Sequence, residues 1–235
     1  MWQLDGTIAS WQSVQLTAQF DLLTPHLGVQ VQQWQQLSIT PDPVLQVDLQ
    51  TRINVSDLDA YIREGDLIVQ YPECPDTGYR LQLRWSTLCD SSIAAVELLV
   101  TMHTTRFSIT SSLDIGNQFD RSICQGYTSA GIPVSAGIED PTPCGLVLCR
   151  PADSTWTYAE MTSAHRATLQ GVKRSIGSSL PTRHCSSFRV FNGTLEKGVT
   201  RRMRVRGLFL PRAEDEAQAA QHFNRFLKIP PQLDT

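Results

Sequence analysis

Apolar and polar residues alternate with a period of two through much of this 235-residue chain, which restricts it to β structure. Val14, Leu16, Ala18, Phe20 and Leu22 alternate with polar residues, and Leu27, Val29 and Val31 repeat the pattern. Leu45, Val47, Leu49, Thr51, Ile53 and Val55 continue it, as do Leu67–Tyr71, Tyr79–Trp85 and the stretch from Val96 to Ile109. Successive strand side chains point to opposite faces, so each segment reads as a half-buried strand. The turn signals PDP, REGD and PDTG between them suit antiparallel hairpins better than helical crossovers.

The fold expected is therefore all-β: a large antiparallel two-sheet β-sandwich with a C-terminal α-helix. Ala217, Ala220, Phe223 and Leu227 form an apolar stripe within residues 213–227, and Pro230–Pro231 ends that helix. A single domain over residues 1–235 is expected, since all-β domains reach this size undivided. Residues 111–145, rich in Gly, Ser and Pro, read as a long loop region, and Ser56–Arg63 as one helical turn.

Charge is unevenly placed. Residues 1–150 hold seven Arg and sixteen acidic residues, a net −9, and residues 151–235 carry a net +6. Face-to-face docking of the two parts explains this without a partner. A nucleic-acid partner is not expected, because the chain's pI is about 5.9 and its basic residues are interleaved with apolar ones. No apolar run is long enough for a membrane helix and the start lacks a secretory leader, so the protein is expected to be soluble and cytoplasmic. The six cysteines are irregularly spaced and read as free, mostly buried thiols; no cofactor and no metal site are expected. Oligomeric state is not legible.

Three residue groups carry candidate chemistry. In TWTYAEMTSAHR, Glu160 and His165 offer a general base and acid, because a carboxylate near an imidazole can bring one group's pKa towards neutrality. The competing reading puts both in an exposed irregular segment. Tyr79 and Trp85 share parity with Leu81 and Leu83 and belong to the core. Arg80, Gln82 and Arg84 fall on the other face, where they would form a polar ligand surface. In LEKGVTRRMRVRGLFLPR, Met203, Val205 and Phe209 alternate with Arg202, Arg204 and Arg206, about 7 Å apart along a strand. That row is either an anion-tolerant wall or intramolecular docking, and docking is the favoured reading.

GDLIVQY, LQLRW and LEKGVTRRMRVRGLFLP resemble segments of an uncharacterised family of bacterial β-rich proteins. The sandwich ending in a helix is similar to the galactose-mutarotase-like supersandwich. That likeness implies carbohydrate binding or processing by paired histidines and a late carboxylate, for which His103, His165 and Glu196 are available. The function expected is binding of a carbohydrate or other polar or anionic ligand on one sheet face. The alternatives are a structural or protein-interaction module, and a mutarotase-like enzyme.

Overall fold

A computed structural model describes residues 1–34, 37–38, 43–49, 54–89, 93–120, 122–128, 131, 133–134, 144–163, 173–180 and 183–229. Among them run β1 (Trp2–Asp5), β2 (Ile8–Gln12), β3 (Leu16–Asp21), β4 (Val29–Trp34), β5 (Leu37–Ser38), β6 (Pro43–Val44), β7 (Gln46–Asp48), β8 (Asp59–Arg63), β9 (Asp66–Tyr71) and β10 (Arg80–Cys89). There follow β11 (Ala94–His103), β12 (Ser108–Asp120), β13 (Ser122–Thr128), β14 (Pro133–Val134), β15 (Cys144–Pro151), β16 (Trp156–Ser163), β17 (Lys173–Leu180), β18 (Arg183–Glu196) and β19 (Thr200–Pro211). One helix, α1 (Asp215–Lys228), closes the described fold.

Among the described residues every strand pairing is antiparallel, as the turn chemistry requires. A nine-stranded sheet has the order β14-β13-β15-β16-β19-β11-β10-β9-β8. A six-stranded sheet (β1 to β6) and a four-stranded sheet (β17-β18-β12-β7) meet at the β6–β7 segment and face it. One apolar core joins all three, with Trp2, Trp34, Trp85, Phe20, Ile115, Phe119 and Phe209 buried in it. Phe20 and Trp85 lie with ring centroids 4.7 Å apart. Each such side chain withdrawn from water stabilises the fold by about 2–3 kcal/mol.

The outer face of the nine-stranded sheet is also partly buried. Ala95, Leu148, Ala159, Met161, Leu208 and Leu210 form a second apolar cluster with Ala219, Phe223 and Phe226 of α1. The helix thus covers one end of a sheet whose inner face is already packed. A sandwich with a C-terminal helix is what the sequence predicts, but of the expected stripe only Phe223 is buried: Ala217, Ala220 and Leu227 are exposed, and Ala219 and Phe226 face the sheet instead.

Three local expectations are corrected. Residues 111–145 are not a loop region: β12 extends to Asp120, and β13, β14 and the start of β15 occupy much of the rest of the described stretch. From Ser111 to Phe119 burial alternates strictly, and the inward Asn117 is accommodated because it accepts from the Leu45 N–H at 2.8 Å and the Tyr158 hydroxyl at 3.0 Å. The single turn expected over Ser56–Arg63 is shorter and of 3-10 type, at Val55–Asp57, and from Asp59 the chain is strand β8. Glu64 (φ 54°) and Gly65 (φ 89°) supply the two positive φ angles of a tight hairpin that pairs β8 with β9. The eleven-residue alternation from Leu45 breaks at Leu45 itself (φ 53°), and Thr51 and Ile53 lie outside the described residues.

Candidate functional site

The outer face of the nine-stranded sheet holds both arginine groups. Antiparallel register places Leu99 of β11 between Arg84 of β10 and Arg204 of β19. Likewise Thr101 stands between Gln82 and Arg202, and Glu97 between Ser86 and Arg206. Adjacent strands are about 4.8 Å apart, so each cross-strand row is a continuous surface. The two arginine groups are brought onto one face, with one strand between them.

Their environments divide that face in two. Arg206 donates from Nε (2.8 Å) and Nη2 (2.6 Å) to one Glu97 carboxylate oxygen, and Arg204 Nε lies 3.8 Å from the other. Arg204 also donates through Nη2 to the carbonyls of Phe226 and, at 2.6 Å, Ile229. Its guanidinium stacks 4.1 Å from the centroid of the Phe226 ring, and that of Arg206 lies 4.9 Å from it. A helix ends with unsatisfied carbonyls and a partial negative charge, and an arginine answers both. Burial pushes the Arg204 pKa down despite the attraction of Glu97.

The other end of α1 is fixed by the opposite chemistry. Asp215, in its first turn, accepts from Arg150 Nε at 2.8 Å and Nη2 at 2.9 Å, and from the Thr157 hydroxyl at 2.6 Å. Burial pushes this carboxyl up, but the Arg150 and Thr157 donors outweigh it and hold it below the usual carboxylate range. A depressed folded pKa gives stability that is full above the unfolded value and is lost as pH falls through the folded one. Asp215→Asn is expected to lower the melting temperature at pH 7 by roughly 3–6 °C. It should also flatten the acid limb of a stability–pH profile below about pH 4, measured by urea denaturation.

The rest of the face is more open. Gln82, His103 and Arg202 are partly exposed and Gln70 and Arg80 exposed, while Thr101 between Gln82 and Arg202 is buried. Gln70, Gln82, Thr101 and Arg202 are cross-strand neighbours in sequence across β9, β10, β11 and β19. Arg80 and His103 pair in the adjoining row. The Thr105 hydroxyl first, then Arg106 and the nearby Arg80 guanidinium, hold the Glu73 carboxyl below its usual range. Arg84 Nε lies 2.7 Å from Asp66. Gln70 and Thr101 escaped the sequence reading because only strand register shows that they continue the Gln82 and Arg202 row.

Glu160 is neither exposed nor irregular. It lies on the central strand β16, fully buried, on the inward side with Tyr158 and Thr162. His165 lies outside the described residues, so its partnership with Glu160 belongs to the sequence reading alone. His103 and Glu196 sit on β11 and at the end of β18. No group of three metal-ligating side chains occurs among the described residues. No helix there is long and apolar enough to cross a membrane. A groove of about 520 Å³ runs instead between α1 and the β13–β15 strands, lined by Tyr127, Leu146, Leu148, Glu216 and Phe223 among others; none of the candidate arginines borders it.

The expected docking of a basic part on an acidic one holds only in part. Arg189–Asp114 and Arg206–Glu97 join the two in that sense. Arg150 with Asp215 and Glu216 runs the other way, and Arg84–Asp66 and Arg106–Glu73 lie within the first part.

No family model matches the chain, and no curated protein matches its sequence. Among solved structures, the Slr1438 protein of Synechocystis sp. PCC 6803 superposes with a TM-score of 0.55 at 8% identity, covering 90% of this chain and 100% of that one. The likeness is one of fold. A putative aldose 1-epimerase of Escherichia coli K12 aligns at a TM-score of 0.47 and 11% identity, covering 89% of this chain and 98% of its own. A galactose mutarotase-like protein of Clostridium acetobutylicum aligns at 0.47 and 9%, covering 90% and 98%.

Proposed function

We propose that this protein binds an acidic carbohydrate on the open part of the outer sheet face, beside the C-terminal end of α1. The observation that supports this reading is the row Gln70–Gln82–Thr101–Arg202, four polar side chains in register on adjacent strands. It spans about 14 Å, three strand spacings, on rigid elements. Amides both donate to and accept from sugar hydroxyls, and an Arg fork matches a carboxylate, with Thr101 buried between them. Arg80 in the next row adds positive charge for an acidic sugar over a neutral one.

A thermal-shift screen against neutral sugars, sugar acids and phosphates tests this. Sugar acids should raise the midpoint, and Arg202→Ala and Gln82→Ala should each abolish the shift. Because both residues lie on an exposed face, the unliganded midpoint should move by no more than roughly 2 °C. No shift with any compound overturns the reading.

A second reading, a module that acts only through protein contacts, has its own support: Arg84, Arg204 and Arg206 are engaged within the molecule, and the described groove lies away from them. It expects no sugar to shift the midpoint. An enzyme that uses Glu160 as its base requires substrate to reach a side chain with no solvent exposure.

A further inference from the structure

Cys124 on β13 and Cys149 on β15 are direct partners in the antiparallel register. Directly opposed residues of such a pair have Cα atoms about 4.5–5.5 Å apart, inside the span that a disulfide bridges. Both side chains point into the core, 6% and 0% exposed, and the Cys124 thiol is directed at the Cys149 sulfur 2.8 Å away. The Ser122 hydroxyl lies 3.7 Å from the Cys124 sulfur.

We propose that Cys124 and Cys149 form a reversible redox couple that closes to a cross-strand disulfide in the presence of a small disulfide such as oxidised glutathione. The Cys124 thiolate, on the more accessible sulfur, attacks one sulfur of the oxidant. The oxidant's S–S bond breaks and the departing glutathione thiolate takes up the proton that Cys124 has lost. The Cys149 thiolate then attacks the Cys124 sulfur of the mixed disulfide and expels a second glutathione, which takes up the proton lost by Cys149. The protein loses two electrons and two protons, and one oxidised glutathione becomes two reduced ones.

Access comes from position. Among the described residues, only the two-residue β14 stands between β13 and the edge of the nine-stranded sheet, and edge elements open locally more readily than central ones. Cys124 and Cys149 are 25 positions apart, so the bond closes a sizeable loop and restricts the unfolded chain. It also fixes the two strands whose opposite faces, through Tyr127, Leu146 and Leu148, line the groove beneath α1. Oxidation thereby stiffens one wall of that groove.

The test incubates the full chain in glutathione buffers from fully reduced to fully oxidised, with and without mild urea to open the edge, and then blocks remaining thiols with N-ethylmaleimide. Digestion with trypsin and a protease that cleaves after glutamate separates Cys124 from Cys149 at Glu139. Mass spectrometry should find the two peptides linked through Cys124 and Cys149 in proportion to the oxidant. The melting temperature should rise by roughly 5–10 °C on conversion. Cys124→Ser and Cys149→Ser should each lose both the link and the rise. Alkylation of both thiols at every buffer ratio with and without urea, or a link from Cys124 to Cys144, overturns the proposal.

Discussion

Glu97→Ala is expected to destabilise the fold by about 3–5 kcal/mol, the cost of leaving buried charge uncompensated. Glu97 faces two guanidiniums at once, and the side chains of Arg204 and Arg206 are only 5% and 11% exposed. With the carboxylate gone, Arg206 loses both of its hydrogen bonds to it, and Arg204 loses that neighbouring charge while keeping its bonds to the Phe226 and Ile229 carbonyls and its contact with the Phe226 ring. Urea denaturation followed by tryptophan fluorescence should show the midpoint falling with the slope unchanged. Arg206→Met in the Glu97→Ala background should recover part of the loss, because it removes a charge and keeps an apolar stem against Phe226. If Glu97→Ala costs less than about 1 kcal/mol, the arginine pair is held by the helix carbonyls rather than by the carboxylate.

The second large effect is expected at Gly207. A Cβ built there would lie 2.4 Å from the Tyr158 hydroxyl oxygen and 2.7 Å from its ring. That ring is fully buried against Phe119 and Phe209, and its hydroxyl donates to Asn117 at 3.0 Å. Gly207→Ala should therefore cost about 2–4 kcal/mol, combining overpacking with the loss of a buried hydrogen bond. In a Tyr158→Leu background the same substitution should cost markedly less, and a double-mutant cycle of urea midpoints reads that coupling. Equal costs in the two backgrounds would show that Gly207 is required for its backbone rather than for the ring above it.

These two positions show where sequence reading stops. Alternation exposes strands whose inner positions are apolar, which is why β3, β10 and β19 are legible. It misleads at β12, where inward Ser111 and Asn117 imitate a loop; only the Leu45 N–H and the Tyr158 hydroxyl, distant in sequence, make Asn117 a core residue. It misleads again at Glu160, a carboxylate at an inward position of a central strand, which composition alone reads as surface. The arginine row of β19 is legible as a row, and docking was the better expectation for Arg204 and Arg206. What they dock against is mainly Glu97 and the carbonyl end of α1, since an outward-facing strand position gives no sign that a helix covers it. The open row through Gln82 and Arg202 emerges only from register across four strands.

Amide hydrogen exchange, read by mass spectrometry with and without the sugar acid that gives the largest thermal shift, tests the central claim most directly. The proposed site predicts slowed exchange in peptides from β10, β11 and β19 around Gln82, Thr101 and Arg202, with those from β13, β15 and the first half of α1 unchanged. Slowed exchange confined to the α1–β13–β15 groove, with β10 and β19 unaffected, would contradict it.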